Sequence, residues 1–254
     1  MIHNFAQTRL SAFFIHLVFS ALIAFTVILA AILVWYPDYF LDVTGAKKIF
    51  LMIVGIDVCI GPILTLIVFN KKKKELGRDL TIIFLIQLCA LVYGMYTVTM
   101  ARPVYIVFAV DRFELVQANE ISKNNLLDAS QEKFRKLPWL SAEWISALRP
   151  SNPKEKEELL FTSMETGDDL AQLPKFYSDY AASVDEIRKR LIPLAQLAEF
   201  NPDKMNIVTN LTQRFNDKNR YGYLPLSGKK ASLTVIIDIE TGKPVEISNL
   251  EPWQ

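Results

Sequence analysis

The chain has 254 residues, 51% of them hydrophobic, and a formal net charge of +1. Such a near-neutral balance gives nucleic acid no electrostatic footing. Its two cysteines, Cys59 and Cys89, both fall inside apolar runs, which excludes disulfide staples and thiolate metal sites from the rest of the sequence.

Three apolar runs fill most of the first hundred residues: Ala12–Val34, Ile49–Phe69 and Leu80–Met100. Each is close to the ~20 residues that a helix needs to cross ~30 Å of hydrocarbon, where the backbone must satisfy its own hydrogen bonds. The expected organisation is a three-helix transmembrane domain over residues 1–100 and a soluble domain over residues 101–254, long enough for its own core. The N-terminal tail holds His3 and Arg9. The first run exceeds the ~7–15 apolar residues of a secretory signal and ends in Trp35-Tyr36-Pro37, aromatics suited to a membrane interface, so an uncleaved anchor is expected. His16 reads as a neutral imidazole bonded to a neighbouring helix, with a proton relay as the alternative. Cys59 and Cys89 are expected to pack as small buried hydrophobes.

The first connector holds Asp38, Asp42, Lys47 and Lys48; the second holds Lys71, Lys72, Lys73, Lys74 and Arg78. Positive residues favour the cytoplasmic side. With Arg9 counted, the bias puts the N-terminus and the second loop in the cytoplasm and residues 101–254 across the membrane, in the periplasm of a Gram-negative cell. The lysine run therefore reads as a topology anchor, although its charge would also suit anionic membrane lipid or nucleotide.

The second run contains Asp57 followed by Gly61-Pro62. An ionisable side chain within a span is a functional-site hypothesis by default, and Gly-Pro removes a helix hydrogen bond and invites a kink. Three readings stand. Asp57 ties the three helices together, being protonated or close to the membrane surface; it binds a partner inside the membrane; or it conducts ions. Gln87, Tyr93, Gly94 and Tyr96 of the third run are the groups expected to supply its hydrogen bonds.

After Arg102-Pro103, Val104–Val110 reads as a buried strand and Phe113–Val116 as a second, a short link that holds the domain close to the bilayer. From Asn119 the pattern turns helical through Leu126, Leu127, Phe134 and Leu137, ending at Pro138. Trp139–Leu148 is ambiguous between helix and strand. Asn152-Pro153 starts a helix that closes near Gly167. Another is expected over about Tyr177–Phe200, bent or split at Pro193. Asn201-Pro202 repeats the start signal ahead of an apolar stripe, Met205, Val208, Leu211 and Phe215. Leu233–Ile239 and Pro244–Ile247 form a hairpin across Thr241-Gly242. The soluble domain is thus α+β, with strands at both ends and helices between.

That domain contains neither His nor Cys, and the chain has neither a G-x-x-x-x-G-K-[ST] phosphate loop nor a G-x-G-x-x-G motif. These gaps remove the usual nucleophile triads, zinc sites and nucleotide cradles. No catalytic, cofactor-binding or metal residue is assigned, and composition points to binding or assembly rather than to an enzyme.

Several stretches carry a resemblance. Gly55-Ile56-Asp57-Val58, Gly61-Pro62-Ile63-Leu64-Thr65-Leu66, the basic loop, Asp79-Leu80, Gln87 and Tyr93-Gly94 resemble the membrane half of the type IV pilin accessory proteins, the TfpX/TfpZ family. So do Arg102-Pro103-Val104-Tyr105 through Asp111-Arg112-Phe113, then Tyr223-Leu224-Pro225-Leu226, Thr241-Gly242 and Pro252-Trp253, while about Pro138–Asn219 matches loosely. The resemblance implies an inner-membrane, chaperone-like accessory protein. Its partner would be a type IV major pilin, with the inner-membrane pilus assembly platform as a second, and no cofactor is implied. On this reading Asp57, Gly61, Pro62 and Gln87 meet the pilin helix within the membrane, and Arg102, Pro103, Asp111 and Arg112 form a membrane-proximal structural motif. The alternative is a membrane-anchored periplasmic ligand sensor signalling through a partner, since the cytoplasmic side offers no output domain. A small transporter or lipid-modifying enzyme is a third reading.

Overall fold

The structure is a computed structural model that describes residues 8–37, 39–217 and 220–253; His3 and Asp38 lie outside them. Its first helices are α1 (Arg9–Trp35), α2 (Phe40–Thr44), α3 (Ala46–Val54), α4 (Gly61–Val68) and α5 (Leu76–Met100), with a single π-helical turn, Gly55–Ile60, joining α3 to α4. The described chain divides into two units: the helical residues up to Val34 with Gly45–Met100, and Trp35–Thr44 with Ala101 onward.

In the helical unit, α1, the continuous α3–α4 and α5 are each long and apolar enough to cross a membrane. They are apolar all round, as spans are, with Phe14, Phe25, Leu51 and Val92 on the outside. Cys59 and Cys89 also lie on the outside, not packed as their type suggested. In hydrocarbon an apolar side chain gains nothing from facing inward, so hydrophobicity does not report which face is packed. Helix α5 begins at Leu76, inside the expected basic loop, with Asp79 in its first turn, where an acid suits the helix dipole.

In the second unit the elements run β1 (Pro103–Ala109), β2 (Arg112–Gln117), α6 (Lys123–Leu127), β3 (Glu143–Ala147), α7 (Pro153–Thr166), β4 (Tyr177–Asp179), α8 (Val184–Arg190), β5 (Ile192–Pro193), α9 (Leu197–Phe200), α10 (Met205–Arg214), β6 (Tyr221–Ser227), β7 (Ser232–Asp238) and β8 (Pro244–Ser248). Among the described residues the strands form one mixed sheet in the order β4-β3-β1-β2-β6-β7-β8, with β5 paired to β6. β1 is antiparallel to β2 and parallel to β3, and all seven of its residues are buried, which requires cover on both faces of the sheet. One cover includes the edge-to-face aromatics Tyr105, Phe134 and Tyr177. Another packs Leu197, Val208 and Leu211 on Tyr223 and Ile236.

The first two strands, the Asn152-capped helix α7 closing at Gly167, helix α10 and the β7–β8 hairpin all lie where the sequence put them. The middle differs. The run from Asn119 breaks into α6 and isolated 3-10 turns, one of them carrying Phe134. The ambiguous stretch becomes β3. The long helix expected over Tyr177–Phe200 is instead β4, α8, β5 and α9, with Pro193 in a strand. Asn201 does not cap α10. Its side chain clasps the backbone of Glu251, accepting from the N–H and donating to the carbonyl, both at 2.9 Å.

Strand β6 gave no strand signal because Gly222 and Pro225 interrupt it. It tolerates both because its outer edge is shared: β5 pairs with Gly222 and Tyr223 and β2 with Leu226 and Ser227, leaving Pro225 at the handover.

The connector between the first two spans belongs to the sheet unit. Tyr36, Phe40 and Val43 are buried. Lys230 N–H donates to the Val43 carbonyl at 2.9 Å, and the Gln117 side chain donates to the Thr44 carbonyl at 3.2 Å. Trp35 Nε1 donates to the Trp139 carbonyl at 2.8 Å, and the Arg102 guanidinium lies over the Trp139 ring at 4.8 Å.

Glu114 on β2 is an acid of this unit for which burial outweighs the favourable partners. Desolvation, then the nearby Asp169 charge, hold its carboxyl above the ordinary value, with Arg112 opposing. A carboxyl raised in the folded state favours folding when protonated, and that advantage is lost as pH rises from its unfolded value through its folded one. Glu114→Gln is therefore expected to melt higher than the parent at pH 7. The difference should close as pH falls to about 4, the unfolded carboxylate range, as read by thermal melts across that window.

Candidate functional site

The π turn is where sequence and geometry meet. Gly61 N–H donates to the Ile56 carbonyl, the i−5 partner. In the same register the Asp57 carbonyl would take its hydrogen from residue 62, which is proline and has none. Gln87 of α5 fills the gap, its Nε2 donating to that carbonyl at 3.0 Å. A Cβ at position 61 would overlap the Gln87 amide, so Gly61 opens the path, Pro62 creates the vacancy and Gln87 occupies it. Two turns along α5 from Gln87, Gly94 lets that helix approach Ile53 of α3.

Helix α1 joins this pair at two levels. Arg9 Nε donates to the Phe69 carbonyl at 2.8 Å, meeting the carbonyl just past the end of α4. His16 Nδ1 and Thr65 Oγ1 share a 2.6 Å hydrogen bond. Beside these contacts, from Ala12 to Ile23, α1 leaves a cleft of about 420 Å³ against α5. Ala12, Ile15, Phe19 and Ile23 wall it on one side, Leu80, Phe84, Leu88 and Leu91 on the other, and Asp57 and Thr65 line its floor. The Asp57 residue is 7% exposed, and neither carboxyl oxygen has a hydrogen-bond partner among the described residues. It sits at the midpoint of the Ala46–Val68 span, roughly 16 Å from either end at 1.5 Å per residue.

The sequence readings of Asp57 sort accordingly. The residue lies midway along its helix, and among the described residues its carboxyl makes no tie between helices; Gln87, His16 and Thr65 make such ties. Gln87 reaches the Asp57 backbone rather than its carboxyl, Gly94 serves packing, and Tyr93 and Tyr96 are exposed. Thr65 was given no role of its own from the sequence, although a hydroxyl two turns beyond Asp57 on an apolar helix was the available signal.

The remaining residues separate. Lys71–Lys74 and Arg78 lie in or beside the exposed turn between α4 and α5, Lys73 pairing with Asp79 and Arg78 with Glu75. Arg102 is 4% exposed and donates to the Pro138 carbonyl. Burial lowers the affinity of its guanidinium for a proton and raises the Tyr36 phenol, each partly offset by the other. Pro103 opens β1, whose seven residues separate it from Asp111 and Arg112 by ~23 Å of strand. The four do not form one motif. Val110 turns the chain between β1 and β2 at φ 66°, a strained value for a β-branched residue. Beyond it Arg112 pairs with Asp111 at 2.9 Å and lies over Trp253 at 5.0 Å. Among the described residues no cluster of His, Cys, Asp and Glu is arranged to hold a metal ion.

No protein-family model and no solved structure matches the chain. Curated relatives from Dichelobacter nodosus do. The chain is 34% identical over 230 residues to the fimbrial assembly protein of serogroup E1, and 34% identical over 229 residues to that of serogroup I, covering 88% of both chains each time. It is 39% identical over 117 residues to the fimbrial assembly protein of serogroups C1 and C2, which is 45% of this chain and 89% of that one. Two of these matches run through both the helical unit and the sheet unit, and the chain belongs to the family of fimbrial assembly proteins.

Proposed function

We propose that this chain is an inner-membrane accessory protein of the TfpX/TfpZ kind, which assists a type IV major pilin in stability or pilus assembly in a chaperone-like, non-catalytic way. The observation that carries the reading is the near full-length match to proteins named for fimbrial assembly. In this reading Asp57, Gly61, Pro62 and Gln87 shape the membrane cleft that takes the apolar helix of the pilin. The sheet unit meets the pilin head and sets specificity, in keeping with relatives distinguished by serogroup. The assembly platform of the pilus is the second partner.

The N-terminus and the Lys71–Lys74 turn lie in the cytoplasm and the sheet unit in the periplasm. The first connector packs with the sheet unit, which supports their lying on one side of the membrane; the choice of the periplasm for that side rests on the positive-residue bias.

Crosslinking and pull-down of the tagged protein from its native membrane tests the reading. Major pilin as the dominant captured protein, together with loss of surface pili on deletion of the gene, is the expected result. Pilin absent from the capture despite abundant expression, or normal piliation without the protein, overturns it.

A further inference from the structure

The cleft between α1 and α5 is lined by the Ser20 hydroxyl and by one carboxyl with nothing to bond. His16 and Thr65 are bonded to each other, and the Gln87 amide is bonded to the Asp57 backbone. The Asp57 carboxyl, buried on the cleft floor, has no partner among the described residues. At mid-membrane depth there is no bulk water to replace one. We propose that Asp57 is the recognition residue for a second membrane helix, one that presents a single hydrogen-bond donor at mid-membrane depth on an otherwise apolar face.

The cleft selects this occupant. A helix is ~10 Å across, so a space of about 420 Å³ admits the side chains of a helix laid over the opening and not the helix itself. The apolar walls accept its aliphatic and aromatic groups. Lipid does not fit the floor: acyl chains carry no donor, and headgroup donors stay at the surface, ~15 Å from the centre of a ~30 Å core. A second copy of the chain fits no better, because a symmetric pairing would set one Asp57 against another.

The inference rests on the pilus reading for the identity of the helix, and deepens it by naming what that helix must carry. Partner binding would be governed by one acceptor–donor pair, with the apolar walls supplying contact that many helices could satisfy.

The test uses the full-length protein in its native membrane, with a photo-crosslinking residue at Phe84 on the cleft wall or at Leu51 on the outer surface. Adducts are identified by mass spectrometry. The expected result is a pilus-subunit helix captured from position 84, with the yield falling about tenfold in Asp57→Leu, the size of losing one hydrogen bond of ~1.4 kcal/mol. Adducts from position 51 should not change. Retention of yield in Asp57→Asn, whose amide oxygen still accepts, assigns a neutral donor; loss in both variants assigns a cationic one. Replacing the donor in the captured peptide by an apolar residue should reproduce the loss.

Thermal melts of both variants separate recognition from folding. The proposal is overturned if the Phe84 adduct is indifferent to Asp57→Leu, or if it consists of lipid or of a second copy of this chain. If pilin pull-down persists in that case, the pilus function stands and the recognition role of Asp57 alone fails.

Discussion

Gly228→Ala lowers the unfolding free energy of the full-length protein by about 2–3 kcal/mol, and adding Val43→Ala returns much of it. The reason is the fit of the first connector into the β6–β7 turn. A Cβ at position 228 would overlap Val43 Cγ1 and stand 3.2 Å from the Ala231 carbonyl. Val43 cannot retreat, being 1% exposed with its own carbonyl bonded to Lys230. Val43→Ala alone removes buried methyls and costs about 1–2 kcal/mol by loss of contact and cavity formation. In the double variant the new methyl occupies the space that was vacated. Thermal or denaturant unfolding of the four proteins gives the coupling, which should favour the double variant by more than ~1 kcal/mol. Additive losses would mean that the connector and the turn do not share a packed contact.

Gln87→Leu is expected to cost about 1–3 kcal/mol, because it leaves the Asp57 carbonyl with neither a backbone nor a side-chain donor. Gly61→Ala reaches the same end by another route: its methyl displaces the Gln87 amide and breaks the same bond. The combination should therefore be little worse than either change alone. Melting of the four proteins in lipid nanodiscs checks this, and additivity would show that the two positions act separately. Both variants leave the Asp57 side chain in place, so they distinguish the architecture of the π turn from recognition in the cleft.

The sequence made the three spans legible through the unbroken length of their apolar runs, and β1, β2, α7 and the β7–β8 hairpin through local alternation and caps. What escaped it depends on distant partners. Gly61-Pro62 announced a break, but its form as a π turn rests on Gln87, which lies elsewhere in the chain. Pro225 spoke against a strand because nothing local reveals that β5 and β2 divide the edge of β6 between them. Tyr36, Phe40 and Val43 carried a helical apolar spacing in the first connector, overlooked because Trp35-Tyr36 already suited a membrane interface. At the site, Asp57 stood out as an acid in an apolar run. That its carbonyl is bonded and its carboxyl is not could be learned only from the packed helices.

The burial of that connector also ties folding of the sheet unit to the way the chain is threaded through the membrane. Trp35 and its partner Trp139 are 104 residues apart, and Thr44 and Gln117 are 73 apart. At roughly 5–20 residues per second, synthesis makes the connector wait on the order of ten seconds for the strands that cover it. Contacts so far apart form late. If the second or the third span fails to cross, the connector and the sheet end on opposite faces of the bilayer. The β6–β7 turn is then left without Val43, and buried apolar surface is exposed to proteases. Completion of the sheet therefore requires that the second and third spans have crossed together.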